Sequence, residues 1–114
     1  MQRDDLVYVG HMLDQARKAR DKVHGVERRD FDRDENLQMT LAYLIQTIGE
    51  AARRVSSSFQ RAHPDVPWAK VVGMRHRIVH DYLHVDYDIV WAVVQADLPG
   101  LIGRLEEALP PEQR

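Results

Sequence analysis

The chain has 114 residues, of which 44% are hydrophobic and 30% are charged, and its formal net charge is −2. This length fits one domain, residues 1–114, and the composition is that of an ordinary globular protein. The absence of cysteine excludes a disulfide scaffold, thiolate zinc sites and a cysteine nucleophile. The apolar runs are too short to span a membrane and the first residues do not resemble a secretory signal, so we expect a cytoplasmic protein.

The positive charge is concentrated in the middle of the chain. Residues 51–80 carry six basic side chains and one acidic side chain, a net charge of +5, whereas the rest of the chain is acidic. Such a segment can attract a polyanion locally, or it can be the solvated face of ordinary helices. The charge alone favours the second interpretation.

The first half of the chain has the apolar spacing of two amphipathic helices. The first spans residues 4–24 and is followed by Gly25, a typical C-terminal stop. The second spans residues 33–56, with apolar residues at steps of three and four. Asp32 and Glu35 predict a capping box at its start.

A third helix is predicted after a loop over residues 59–67. Pro67 suits its first turn, where a missing N–H group costs nothing. The apolar positions of this helix run from Trp68 to Tyr82.

The fourth predicted helix begins at Asp86 or Asp88, either of which can cap it, and runs to Ala108. Pro99 must kink this helix or split it in two. No alternating strand pattern competes with the helices, so we predict an all-α, antiparallel bundle of four to five helices with short connections.

Three histidines at intervals of four suggest a metal site. On a continuous third helix, His76, His80 and His84 form one stripe, and histidines at i and i+4 can bind zinc. No third ligand is obvious on another helix, and the glutamate of the H-E-x-x-H motif is absent. The His80–Asp81 pair also occurs in metal-dependent phosphohydrolases, whose further ligands cannot be placed in this chain. We therefore predict no metal and no other cofactor.

The same segment suits acid–base chemistry on RNA. Cleavage next to a ribose 2′-OH needs a base, an acid and a cation for the charge at phosphorus. His80 can act as the base or the acid, because histidine titrates near neutral pH. Arg75 can stabilise the phosphorus charge, since its planar fork fits two phosphate oxygens. Arg77 and Lys70 are weaker candidates for contacts with the flanking phosphates.

The geometry of an ideal helix does not bring these two residues together. Arg75 and His80 lie roughly 140° apart at ~100° per residue. Either the helix is distorted or ends near here, or a second subunit brings the groups into one cleft. Purely structural roles are the alternative: Arg75 in a buried ion pair with Glu50, and His80 as a satisfied packing histidine.

At these residues the sequence resembles the HepT-like family of HEPN-domain ribonuclease toxins. The resemblance covers nearly the whole chain and is strongest from Ile48 onward. Its signature is R-x4-H-x-Y, here Arg75, His80 and Tyr82. The flanking pieces are Ile48-Gly49-Glu50-Ala51, His63-Pro64-Asp65-Val66-Pro67-Trp68, Gly73-Met74, Val90-Trp91 and Asp97-Leu98-Pro99.

This resemblance implies a fold, an activity and a partner. The family is an all-α bundle that forms homodimers, and its arginine and histidine build a metal-independent RNA-cleaving site at the dimer interface. Arg75 and His80 are then the catalytic residues, and RNA, for example tRNA or mRNA, is the substrate. The usual partner is a minimal nucleotidyltransferase antitoxin that transfers AMP to the motif tyrosine, here Tyr82.

Several neighbouring residues carry secondary expectations. His76 stands where relatives often have Asn or Asp, and it is a further candidate for contact with RNA. We expect Glu50 to orient Arg75, and Trp68 and Trp91 to pack in the core or an interface.

The leading expectation is an endoribonuclease toxin of a type VII toxin–antitoxin pair. The alternative is a catalytically inactive helical partner that binds and regulates a nucleotidyltransferase.

Overall fold

The computed structural model describes residues 3–81 and 84–114. Within these ranges no helix has both the length and the apolar content needed to cross a bilayer. The elements, in chain order, are α1 (Arg3–Lys22), α2 (Arg28–Asp32), α3 (Glu35–Arg54), α4 (Ser57–Ala62), α5 (Trp68–Val72), α6 (Met74–Ile78), β1 (Val79–Asp81), β2 (His84–Val85), α7 (Tyr87–Ala92), a π-helical turn (Val93–Asp97), α8 (Leu98–Ala108) and a 3₁₀ turn (Pro111–Gln113).

The hydrophobic core is formed mainly where α1 packs against α3 and α8. The apolar positions of α3 point into this core, as the steps of three and four residues predict. Phe31 on α2 is fully buried, and its ring centre lies 4.9 Å from that of Trp91 on α7. The short α2 therefore covers one end of the bundle.

The two long predicted helices are confirmed, and so is the mostly helical class. α1 ends at Lys22, and Gly25 adopts a φ of +73°, the left-handed conformation expected after a helix end. The predicted cap of the second helix is wrong. Asp32 belongs to α2, and Asp34 caps α3 by accepting a hydrogen bond from the Leu37 N–H group.

The region after α3 differs from the prediction in two ways. The predicted loop over residues 59–67 contains most of α4, for which Ser56 provides the N-cap by accepting from the Phe59 N–H group. The predicted third helix is divided at Gly73 and ends at Ile78. The chain then forms an antiparallel pair of strands, β1 and β2, which the all-α prediction does not contain.

Pro99 does not split the last helix, which stays helical from Tyr87 to Ala108, but a π-helical turn directly precedes the turn that contains the proline. The π-helical turn over Val93–Asp97 separates α7 from α8, and Pro99 lies in the first turn of α8. A proline there leaves fewer backbone acceptors unsatisfied than one in a helix interior.

Gly49 allows α5 to lie very close to α3. A Cβ atom on this buried glycine would lie 3.0 Å from the backbone oxygen of Val71 and 3.6 Å from that of Val72. A backbone oxygen in a helix cannot move away as a flexible side chain can. This contact therefore fixes the distance from α3 to α5, and with it the position of α6 one residue further on.

The first prediction compares two glycines in helices. We expect Gly49→Ala to lower the free energy of unfolding by about 1–2 kcal/mol, because overpacking against Val71 exceeds the gain in helix propensity. Gly103→Ala on α8 is the matched control, since nothing lies within 4 Å of its Cβ position. It should raise the free energy of unfolding by roughly 0.5–1 kcal/mol. Urea denaturation measures both, and a stabilising Gly49→Ala would contradict the close contact.

Candidate functional site

The motif residues lie on either side of the end of α6. Gly73 separates α5 from α6, with its N–H group donating to the Ala69 oxygen at 3.0 Å. The backbone becomes extended at Val79, with φ −112° and ψ 110°. The angle of an ideal helix therefore does not relate Arg75 to His80. Of the alternatives from the sequence, a helix that ends between the two residues is correct.

The histidine stripe is not formed. His76 lies on α6, His80 on β1 and His84 on β2, so the single helix that would align them is absent. Across residues 3–81 and 84–114 there is no group of three or more histidine, aspartate or glutamate side chains that could hold a metal ion.

Arg75 is exposed, and it borders a cavity between α3 and α6. The cavity has a volume of about 280 Å³ and is also lined by Tyr43, Glu50 and His76. The predicted buried ion pair between Arg75 and Glu50 is wrong, because Glu50 accepts from Arg53 Nη2 at 2.8 and 3.1 Å. In the part of the chain that is described, the guanidinium of Arg75 has neither a hydrogen bond nor an ion pair.

His80 is also exposed, which excludes the interpretation as a packing histidine. Its Nε2 atom lies 3.1 Å from Oδ2 of Asp86. The second oxygen of this carboxylate, Oδ1, accepts from the Ile89 N–H group at 3.2 Å and so caps α7. Asp86 is therefore fixed to α7 while it holds the imidazole on β1.

The hydrogen bond with His80 keeps the pKa of Asp86 below its ordinary value, and the bond from the Ile89 N–H group lowers that pKa further. Asp86 is consequently a carboxylate at neutral pH and can only accept the hydrogen bond, so Nε2 of His80 carries the hydrogen and donates it. This favours the histidine tautomer in which Nδ1 is free to take up a proton.

Lys70 and Arg77, the other two cationic candidates for RNA contacts, differ from Arg75 in having an acidic partner. Arg77 Nη1 lies 3.1 Å from Oδ2 of Asp97, and Lys70 Nζ lies 3.3 Å from Oδ1 of the same residue. Both pairs are partly exposed and contribute little stability each. RNA phosphates would have to compete with Asp97 for these two side chains.

Two residues near the motif, Tyr82 and Asp86, remain to be placed. Tyr82, the expected site of modification, lies outside the described residues. From the sequence, Asp86 is predicted only as a helix cap. Its second role, as the partner of His80, depends on the hairpin that brings β1 back beside the start of α7.

Comparisons with known proteins give consistent matches. The family described as ribonuclease HepT-like matches residues 12–108. A protein of Caldanaerobacter subterraneus subsp. tengcongensis named "Putative RNase TTE0752" is 30% identical over 106 residues, or 93% of this chain and 95% of that protein. "Probable ribonuclease HepT" of Thermococcus cleftensis is 35% identical over 78 residues, or 68% of this chain and 71% of that protein. No solved structure gives a significant match.

The second prediction concerns the hydrogen bond between His80 and Asp86. We expect His80→Ala to raise the pKa of Asp86 toward its ordinary value of 3.8, since the largest cause of the lowering is removed. Carboxyl ¹³C NMR titration measures this pKa. His84→Ala on β2 is the control and should leave it unchanged.

The same pair has a consequence for stability with a defined sign. Because the pKa of Asp86 is lower in the folded state, its contribution is fully present above 3.8 and is lost as the pH falls through the lowered folded pKa. The difference in unfolding free energy between the wild type and His80→Ala should therefore shrink below pH 3.8. A difference that grows on acidification would contradict this assignment.

Proposed function

We propose that this chain, which belongs to the HepT-like ribonuclease family, is an endoribonuclease that cleaves RNA at Arg75 and His80 without a metal ion. The motifs predict this family, and the match over residues 12–108 confirms it. The observation that supports the proposed mechanism is a difference between the two motif residues, of which one has an acidic partner and the other does not. His80 is held by the Asp86 carboxylate, whereas the Arg75 guanidinium has no partner among the described residues.

The proposed reaction is an attack of the ribose 2′ oxygen on the adjacent phosphorus. His80 Nδ1 takes the proton from the 2′-OH group, and the new O2′–P bond gives a pentacoordinate phosphorane. The bond from phosphorus to the 5′ oxygen then breaks. The products are a 2′,3′-cyclic phosphate and a 5′-hydroxyl end, and the candidate donor of the proton on the leaving oxygen is His76.

Each side chain has a physical reason for its role. Once Nδ1 of His80 has taken a proton, the imidazolium is stabilised by the carboxylate of Asp86 at Nε2, as in other acid–base pairs of this type. Arg75 supplies a permanent positive charge for the phosphorane oxygens, a charge that Glu50 does not neutralise. Asp86 does not touch the reacting atoms in this scheme and is a positioning residue.

We propose that the active form is a homodimer. Arg75 lies at the start of α6 and His80 lies two residues beyond its end, and both are exposed. A two-fold axis beside this segment would place two copies of each in one cleft. Such a cleft limits the access of water and strengthens the interaction of Arg75 with phosphate.

We also propose that the chain is the toxin of a toxin–antitoxin pair, and that a nucleotidyltransferase is its antitoxin. In this reaction the phenol oxygen of Tyr82 attacks the α-phosphorus of ATP, and pyrophosphate leaves. The attached AMP adds a negative charge and bulk two residues from His80. It therefore blocks the position that the RNA phosphate needs.

The third prediction tests the two catalytic residues. Arg75→Ala and His80→Ala should each lower the cleavage rate of total RNA or tRNA by at least about a hundredfold. Arg104→Ala, which removes an exposed arginine from α8, is the control and should leave the rate unchanged. Cleavage should persist in EDTA. Chemical mapping of the products should find 2′,3′-cyclic phosphate and 5′-hydroxyl ends.

Other outcomes of that experiment have distinct meanings. Loss of cleavage in EDTA would indicate a metal-dependent enzyme. If wild-type protein shown by mass to carry no adduct cleaves no RNA, the chain is the inactive partner that regulates a nucleotidyltransferase.

The fourth prediction concerns Tyr82. Incubation with the nucleotidyltransferase and ATP should increase the protein mass by one or more adenylyl groups and abolish RNA cleavage. Tyr82→Phe should prevent both changes, because it lacks the attacking hydroxyl. Tyr87→Phe is the control, since this half-buried tyrosine packs on Phe31. An adduct that remains in Tyr82→Phe would exclude Tyr82 as the acceptor.

A further inference from the structure

The cavity beside Arg75 contains an aromatic side chain that the fold does not bury. Tyr43 on α3 is 63% exposed and lines this cavity of about 280 Å³ together with Arg75 and His76 from α6. By contrast, Trp68 is 7% exposed, and Phe31 and Phe59 are buried as well. The core therefore does not account for the aromatic ring of Tyr43.

Most other polar groups around the cavity already have partners. Glu50 is paired with Arg53. Thr47 accepts from Gln15 and donates to the Leu44 oxygen, while the amide of Gln46 donates to the Ala42 oxygen.

Three lining side chains remain without a hydrogen bond or an ion pair among the described residues. They are the phenol of Tyr43, the guanidinium of Arg75 and the imidazole of His76. They combine an exposed aromatic face with a permanent cation and a titratable nitrogen. This set of groups suits a ligand that has both a flat ring and a phosphate.

We propose that this cavity binds the nucleotide next to the scissile phosphate of RNA, with its base stacked on Tyr43. The proposal rests on the proposed function, because it takes Arg75 as the residue that contacts the scissile phosphate. The cavity volume is slightly below that of sites for drug-sized ligands, which fits one base and not an extended ligand. Stacking accepts any base, so this subsite adds affinity without strong sequence preference.

The test measures binding of a short single-stranded RNA in the His80→Ala background, which prevents cleavage. Tyr43→Ala should raise the Kd for this RNA roughly tenfold, which is the scale of one base–aromatic stack. Tyr43→Phe keeps the ring, so its Kd should stay within about threefold of that of the parent protein. Met39→Ala is the matched control, since Met39 is 55% exposed one turn away on the same helix and does not line the cavity. It should bind RNA like the parent protein.

A second arm identifies the group that stacks. The oligonucleotide is also made with one abasic residue, moved along the strand one position at a time. At one position the abasic oligonucleotide should bind Tyr43 and Tyr43→Ala proteins equally, because the base that contacts Tyr43 is missing. At the other positions the difference between the two proteins should remain.

Three results would overturn the proposal. The first is equal RNA binding by Tyr43→Ala and its parent protein, found while the wild-type protein does cleave RNA. This result rejects the subsite but not the proposed nuclease activity. The second is a loss of dimer mass in Tyr43→Ala by analytical ultracentrifugation, which makes the face an interface between copies of the chain. The third is no RNA binding in the His80→Ala background together with no cleavage by wild type, which rejects the proposed function itself.

Discussion

The close approach of α5 to α3 at Gly49 is the constraint on which the site depends. A Cβ atom on Gly49 would lie only 3.0 Å from the Val71 oxygen, so any other residue would force the two helices to shift apart. α6 follows α5 after the single residue Gly73, so this contact also determines where Arg75 lies relative to α3. The cavity between them is lined from both sides because the helices are held at this distance. Packing at a buried glycine thus positions an exposed arginine.

The helices of the first half were predictable because each has a long amphipathic pattern that extends over several turns. The segment after Gly73 has no such long pattern, and its structure was therefore not predictable. Residues 74–78 form only a short helix, and the β-branched pair Ile78-Val79 is compatible with either a helix or a strand. The hairpin also depends on a contact between the end of α6 and the N-cap of α7, where the Asp86 N–H group donates to the Ile78 oxygen at 2.6 Å. A local pattern carries no information on such a contact.

The sequence predicts the chemistry that is proposed for the candidate site, but it does not predict the partners of the side chains. An arginine and a histidine five residues apart, within a specific motif, indicate RNA chemistry without any coordinates. The pairing of Glu50 with Arg53, and of His80 with Asp86, follows from side-chain positions that spacing does not determine. Tyr43 did leave a signal in the sequence, because it is an aromatic residue off the apolar stripe of α3.

The distribution of charge explains how a weakly acidic protein can present a local site for a polyanion. Glu50 and Asp97 both lie outside residues 51–80, and between them they pair with Arg53, Lys70 and Arg77 of that basic segment. The basic side chains of the segment left without an ion pair among the described residues border three separate cavities; they are Arg54, Arg61 and Arg75. Among the described residues, the cations of this segment that lack an ion pair are therefore spread over separate cavities. On the proposed function, affinity for RNA would come from a small number of contacts around Arg75, where a positive charge, an imidazole and an aromatic ring line one cavity.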